Sequence, residues 1–117
     1  MTFLISDVHG MSRLFFSLLS QVSFGEMDTL YILGDVAAKG PEALPVYEFA
    51  MKRDNVHLLR GNHDERLLQY FGALEKGAPK IPDDVMRTWA EGDGALTIRE
   101  FNSLKETKKR QDRRSVV

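Results

Sequence analysis

The feature that most constrains this chain is a set of three short motifs at even spacing: Ser6-Asp7-Val8-His9-Gly10, Gly34-Asp35-Val36, and Arg60-Gly61-Asn62-His63-Asp64. Each follows a short apolar run that reads as a β-strand and precedes a stretch that reads as a helix. That order predicts an α/β fold of parallel strands joined by right-handed helical crossovers. In an open parallel sheet the C-terminal strand ends share one edge, where such folds bind ligands. The motifs therefore carry metal-type ligands (Asp, His, Asn) to a common edge.

The strands are expected at Thr2 to Ser6, Thr29 to Leu33 and Val56 to Leu59. The second is continuous in apolar and β-favouring residues, which predicts burial on both faces. Met11, Leu14, Phe15, Leu18, Leu19 and Val22 recur at helical spacing and predict an amphipathic helix with one wide apolar stripe. Gly40-Pro41 is read as the start of a second helix, with proline where its missing N–H costs little; Ala43, Val46, Tyr47, Ala50 and Met51 form its apolar face. A third helix is expected from Asp64 to Glu75, packing through Leu67, Leu68, Phe71 and Leu74. Lys76-Gly77-Ala78-Pro79 breaks the pattern, and Asp83 is read as the cap of a short helix carrying Trp89.

Composition limits the function classes. A chain of 117 residues is one domain or part of one. It has no cysteine, so disulfides and thiolate metal sites are excluded. The net charge of −1 makes no global case for nucleic acid. No segment approaches the ~20 apolar residues of a membrane span, and the N-terminus lacks signal-peptide character; a cytoplasmic location is expected. Lys105 to Arg114 holds six basic and two acidic residues, which predicts a solvated, flexible end.

The chemistry follows from the residue types. Asp7 and His9 flank Val8 at a strand end, so both can point the same way. Asp35 ends the neighbouring strand, and a carboxylate between two ions can bridge them. Asn62 offers a neutral oxygen. Such a mixed nitrogen and oxygen set suits Mn²⁺, Fe or Zn²⁺ better than Ca²⁺. His63 follows directly, placed to act as general acid for a leaving group, and Arg60 could clamp a phosphate in bidentate fashion. The bland readings are an Asx-turn at Asn62, a helix cap at His63-Asp64, a solvated strand end at Arg60, a structural His57, and core or lid packing at Trp89.

With these residues the chain resembles the calcineurin-type metallophosphoesterases. It is most similar within them to phosphoprotein phosphatases of the phage lambda type and to the related bacterial diadenosine tetraphosphate hydrolases. The family pattern runs Asp-x-His-Gly, Gly-Asp-x-x-Asp-Arg-Gly, then Gly-Asn-His-Glu or Gly-Asn-His-Asp, and all three stand here in order. The segment Trp89-Ala90-Glu91-Gly92-Asp93-Gly94-Ala95-Leu96-Thr97 also resembles a tryptophan-led segment of the phage-type enzymes.

The resemblance implies two divalent ions, with Mn favoured and Fe or Zn as alternatives. Asp7 and His9 would hold the first, Asp35 would bridge, and Asn62 would hold the second. His63 would be the general acid and Arg60 would contact phosphate. A metal-bound hydroxide would attack a phosphomonoester directly, without a phosphoenzyme. The substrate would be a phosphorylated protein or a small phosphoester; diadenosine tetraphosphate-type nucleotides are the alternative class.

Two departures stand against a complete site. Where the family has an aspartate and an arginine, this chain has Ala38 and Lys39. Ala38 removes the carboxylate that orients the catalytic histidine, and Lys39 keeps a charge without the bidentate fork. The family also places at least two more metal-binding histidines in its C-terminal half, and no histidine follows His63. The second ion site is thus expected to be incomplete, and a catalytically silent phosphatase-like fragment or binding module is the alternative to an enzyme. Residues 1–101 are expected to form the N-terminal half of the family's two-sheet sandwich, with 102–117 as the basic tail. One sheet face should then lie uncovered, to be closed by a partner, by the tail or by self-association.

Overall fold

The computed structural model describes residues 1–72 and 82–103. Three strands, β1 (Thr2–Ile5), β2 (Thr29–Ile32) and β3 (Val56–Leu58), form a parallel sheet in the order β1-β2-β3. The helices α1 (Ser12–Gln21) and α2 (Leu44–Lys52) are the crossovers. They are followed by α3 (Asn62–Tyr70), α4 (Asp83–Glu91) and a further helical stretch over 95–103. This is the expected α/β architecture of the N-terminal half.

Alternation along the strands sets the core. Leu30 pairs with Val56 and Ile32 with Leu58, so these side chains share one face with Phe3 and Ile5. Phe15 and Leu19 of α1 and Val46 of α2 close over that face, and Ile32 and Val46 are fully buried. The opposite face carries a row of Leu4, Tyr31 and His57 in register across the sheet. Tyr31 and His57 stack with ring centroids 5.0 Å apart, which gives His57 its structural role. Leu4 is 67% exposed, and Leu33 and Leu59, further along the same side, are 46% and 51% exposed. The second strand is therefore buried on one face only, not on both. Among the described residues nothing packs over the other.

The elements correct several local expectations. Of the α1 stripe only Phe15 and Leu19 are buried; Met11, Leu14, Leu18 and Val22 stand on its exposed flank. Helix α2 begins at Leu44 rather than at Gly40-Pro41, and the proline of its first turn is Pro45. Its free N–H groups are met from across the chain: the Glu100 carboxylate accepts from Ala43 N (2.8 Å) and Leu44 N (3.2 Å). Burial of that carboxyl raises its pKa, and the two backbone donors pull it back down. Met51, expected on the apolar face of α2, is exposed. Helix α3 starts two residues earlier than expected and closes at Gly72, whose φ of 68° supplies the left-handed turn that ends it. Asp83 lies in the first turn of α4 after Pro82, and makes no side-chain cap. The helical stretch over 95–103 crosses the boundary drawn at residue 101. Leu74 and Glu75, the break at 76–79, and most of the basic tail lie outside the described residues.

Candidate metallophosphoesterase site

The three motifs meet at the C-terminal edge of the sheet, and the backbone there is unusual. Asp7, His9, Asp35, Ala38 and Lys39 all have φ between 46° and 82°, although none is glycine. Left-handed backbone at a non-glycine residue costs about 1–3 kcal/mol, so surrounding contacts must hold it. The loops also touch backbone to backbone: a Cβ on Gly34 would come 2.8 Å from Gly61 Cα. Only glycine permits that approach.

The holding contacts converge on Asp64. Its buried carboxylate accepts from the backbone N–H groups of Asp35 (2.7 Å), Val36 (3.1 Å), Ala37 (3.2 Å) and Gly61 (2.9 Å), and from the Tyr47 hydroxyl. The Gly61 bond is the reach-back half of a helix cap, as expected; the three from Asp35, Val36 and Ala37 tie the second motif to the third, and the Tyr47 bond ties α2 to it. Burial and then the charge of Asp64 push the Tyr47 phenol well above its ordinary pKa, so it remains a donor. Read locally, Asp64 signals only a cap. Its wider role depends on partners about thirty residues away, and only the fold brings them in.

Asp7 and His9 come together as expected, with Asp7 Oδ1 3.6 Å from His9 Nε2. One ion with bonds near 2.1 Å can span that separation. Ser6 donates to Asp7 Oδ2 at 3.0 Å. His9 Nδ1 lies 3.4 Å from the Ala37 carbonyl, which can only accept. A proton on Nδ1 would donate to that carbonyl and leave Nε2 with the lone pair a metal requires. Asp35 Oδ1 accepts the His63 backbone N–H at 3.0 Å, which joins the second strand end to the start of α3. Asn62 is exposed in the first turn of α3. Among the described residues, no three His, Asp or Glu side chains lie close enough to hold one ion. The donor chemistry and the Asp7–His9 pair fit a divalent ion; the described residues do not close a full shell around it.

His63 stands beside this pair, its ring 5.5 Å from that of His9 and nearly perpendicular to it. Burial lowers its pKa, against the pull of Asp35's charge. The sequence leaves His63 without an orienting partner, because Ala38 replaces the family carboxylate. The structure corrects this: Trp89 Nε1 donates to His63 Nδ1 at 2.8 Å. The sequence signal was the tryptophan-led segment itself, read there as packing. Arg60 is exposed and paired with Glu65 at 3.2 Å, at the mouth of a cleft lined by Tyr47, Leu67 and Phe101. Lys39 is exposed, and its backbone N–H donates to the Asp93 carbonyl at 2.6 Å.

The C-terminal edge of a parallel sheet thus gathers Asp7, His9, Asp35, Asn62 and His63, the residue types expected from the three motifs. The chain belongs to the calcineurin-like phosphoesterase family, which it matches over residues 2–111. It is 43% identical over 114 residues to the symmetrical bis(5'-nucleosyl)-tetraphosphatase of Salmonella arizonae, covering 88% of this chain and 40% of that protein. The protein of the same name from Klebsiella pneumoniae is 42% identical over the same length and share. A crystal structure of a candidate diadenosine tetraphosphatase superposes with a TM-score of 0.51 at 32% identity, covering 77% of this chain and 41% of that one. The chain thus spans about two fifths of the length of the curated relatives it matches. These relatives carry the name of the nucleotide hydrolases rather than of the phage-type protein phosphatases. No helix among the described residues is long and apolar enough to cross a membrane.

Proposed function

We propose that residues 1–101 carry the nucleophile side of a metal-dependent phosphoesterase site that cleaves bis(5'-nucleosyl) polyphosphates. The observation that carries this reading is the meeting of Asp7, His9, Asp35 and His63 at one sheet edge, with His9 Nε2 free to ligate. Asp7, His9, Asp35 and Asn62 would hold the divalent ions. When bound, those ions supply Lewis-acid polarisation of a phosphoryl oxygen and a lowered pKa for bound water. The chain's own residues do the rest. Asp64 keeps the Asp35 loop and the His63 turn at fixed separation, His63 offers a proton-bearing nitrogen to the departing oxygen, and Lys39 and Arg60 supply positive charge for the remaining phosphates.

The substrate class is supported by the names of the relatives and by the chemistry of the leaving group. A symmetrical cut of a bis-nucleosyl tetraphosphate breaks the central P–O–P bridge and releases two nucleoside diphosphates. A terminal phosphate has its second pKa at about 6, so it departs with little help from an acid. A serine alkoxide needs full protonation. A histidine without a carboxylate behind it suits the anhydride better than the phosphoprotein, which reverses the order of the two expectations.

Hydrolysis of diadenosine tetraphosphate and of p-nitrophenyl phosphate with excess Mn²⁺ tests this, wild type beside Asp35→Asn. The expected result is metal-dependent release of nucleoside diphosphate, lost in the variant. Equal background rates in both proteins would leave the second reading, a binding domain without turnover. That reading draws its support from the incomplete ligand shell of the described residues.

A further inference from the structure

We infer that Trp89 is a positioning residue for His63: its indole N–H, donated to Nδ1, holds the neutral ring with its proton on Nε2. An indole nitrogen can only donate. A ring nitrogen that accepts a hydrogen bond carries no proton. At 2.8 Å the Trp89–His63 bond therefore leaves Nε2 as the nitrogen that can donate. His63 then meets a phosphoryl or leaving oxygen as a hydrogen-bond donor, and cannot take a proton at Nε2.

The contrast with His9 sharpens the assignment. The two rings are 5.5 Å apart, yet their neighbours favour opposite tautomers. The Ala37 carbonyl draws the proton of His9 to Nδ1 and frees Nε2 as a ligand. The indole occupies Nδ1 of His63 and sends its proton to Nε2. A carboxylate at position 38 would demand the reverse at His63, but Ala38 is fully buried against Trp89, Leu67 and Ile98.

The indole is held for this task. Trp89 is 4% exposed. A Cβ on Gly94 would come 2.7 Å from three ring carbons, so glycine is required for the indole to lie where it does. Gly94 N–H donates to the Trp89 carbonyl at 2.7 Å, and Thr97 Oγ1 accepts the Ala38 N–H at 3.0 Å. Trp89, Gly94 and Thr97 thus form one brace that sets both the ring partner and the loop beneath it.

The tautomer is directly measurable in the ¹⁵N-labelled chain, without metal or substrate, by two-bond ¹H–¹⁵N correlation at mildly alkaline pH. The expected wild-type pattern is an unprotonated Nδ1 and a protonated Nε2 at His63, with the opposite pattern at His9. In Trp89→Phe, and more weakly in Gly94→Ala, His63 should pass to a mixture of tautomers while His9 stays unchanged. A proton on Nδ1 of His63 in the wild-type chain overturns the inference, as does an undisturbed Nε2–H pattern in folded Trp89→Phe. If that variant does not fold, the wild-type pattern still decides. The catalytic meaning rests on the phosphoesterase reading, and the two fail separately: the hydrolysis assay tests the enzyme, the spectrum tests the tautomer. Where turnover is present, Trp89→Phe should lower kcat by roughly 10-fold or more with KM within about twofold.

Discussion

The packed face of the sheet and the loops at its C-terminal edge are built on different principles. On the packed face, Phe15, Leu30, Ile32, Val46 and Val56 share the work of excluding water, and each contact has neighbours that duplicate it. At the edge, five non-glycine residues stand in left-handed backbone, and single bonds hold them: Asp35 to the Asp64 carboxylate, Ala38 to the Thr97 hydroxyl, Lys39 to the Asp93 carbonyl. The first region is redundant and the second is not. A site that needs its groups in fixed positions gains that precision from a few specific bonds, and becomes sensitive to each of them.

The largest expected effect is at Asp64. Asp64→Ala strands four backbone donors and the Tyr47 hydroxyl, and should cost about 3–5 kcal/mol, measured by urea unfolding. Asp64→Asn retains one acceptor oxygen and should fall roughly midway. Equal, small losses in both would show that the edge is as redundant as the core. Next comes Ile32→Ala on the packed face, expected to cost about 2–4 kcal/mol with the motifs undisturbed. The same truncation on the opposite face, Leu4→Ala, should stay within about 0.5 kcal/mol, because Leu4 is already 67% exposed. A large loss there would mean that something covers the face in solution.

The smallest effect is electrostatic. The N-terminal ammonium bonds Asp28 at 2.9 Å and lowers its pKa. A depressed carboxylate stabilises the fold above its unfolded pKa of about 3.9 and loses that contribution as pH falls through the folded value. The pair is exposed, so Asp28→Asn should flatten the acid limb slightly at low salt and change nothing at high salt, read by thermal melts between about pH 2 and 5.

The sequence made the strands, their parallel order and the ligand-bearing edge legible, because strand residues and turn residues differ sharply in chemistry. Periodicity was less complete. The α1 pattern marked Phe15 and Leu19 but also Leu14 and Leu18, since spacing reports an apolar flank and not whether anything lies against it. The start of α2 was misplaced because Glu100, more than fifty residues on, caps it. The candidate residues Asp7, His9, Asp35 and His63 were legible as types at a spacing, and the fold brings them to one edge. Asp64 and Trp89 were under-read, since their partners are distant in the chain: a local rule sees a cap and a packing aromatic where the fold makes a clamp and an orienter.

The left-handed backbone at Ala38 and Lys39 has a consequence for engineering. Glycine relieves such strain at the expense of a more flexible unfolded chain. A screen for heat tolerance alone would therefore sample glycine at 38 and 39 early, and Lys39→Gly, on the exposed side, would meet no packing objection. The same change would slacken the segment between Asp35 and the Asp93 carbonyl and remove the cation proposed to meet the phosphates. At these two positions selection for robustness and selection for turnover pull in opposite directions, and a variant ranked by melting temperature would record the gain without the loss.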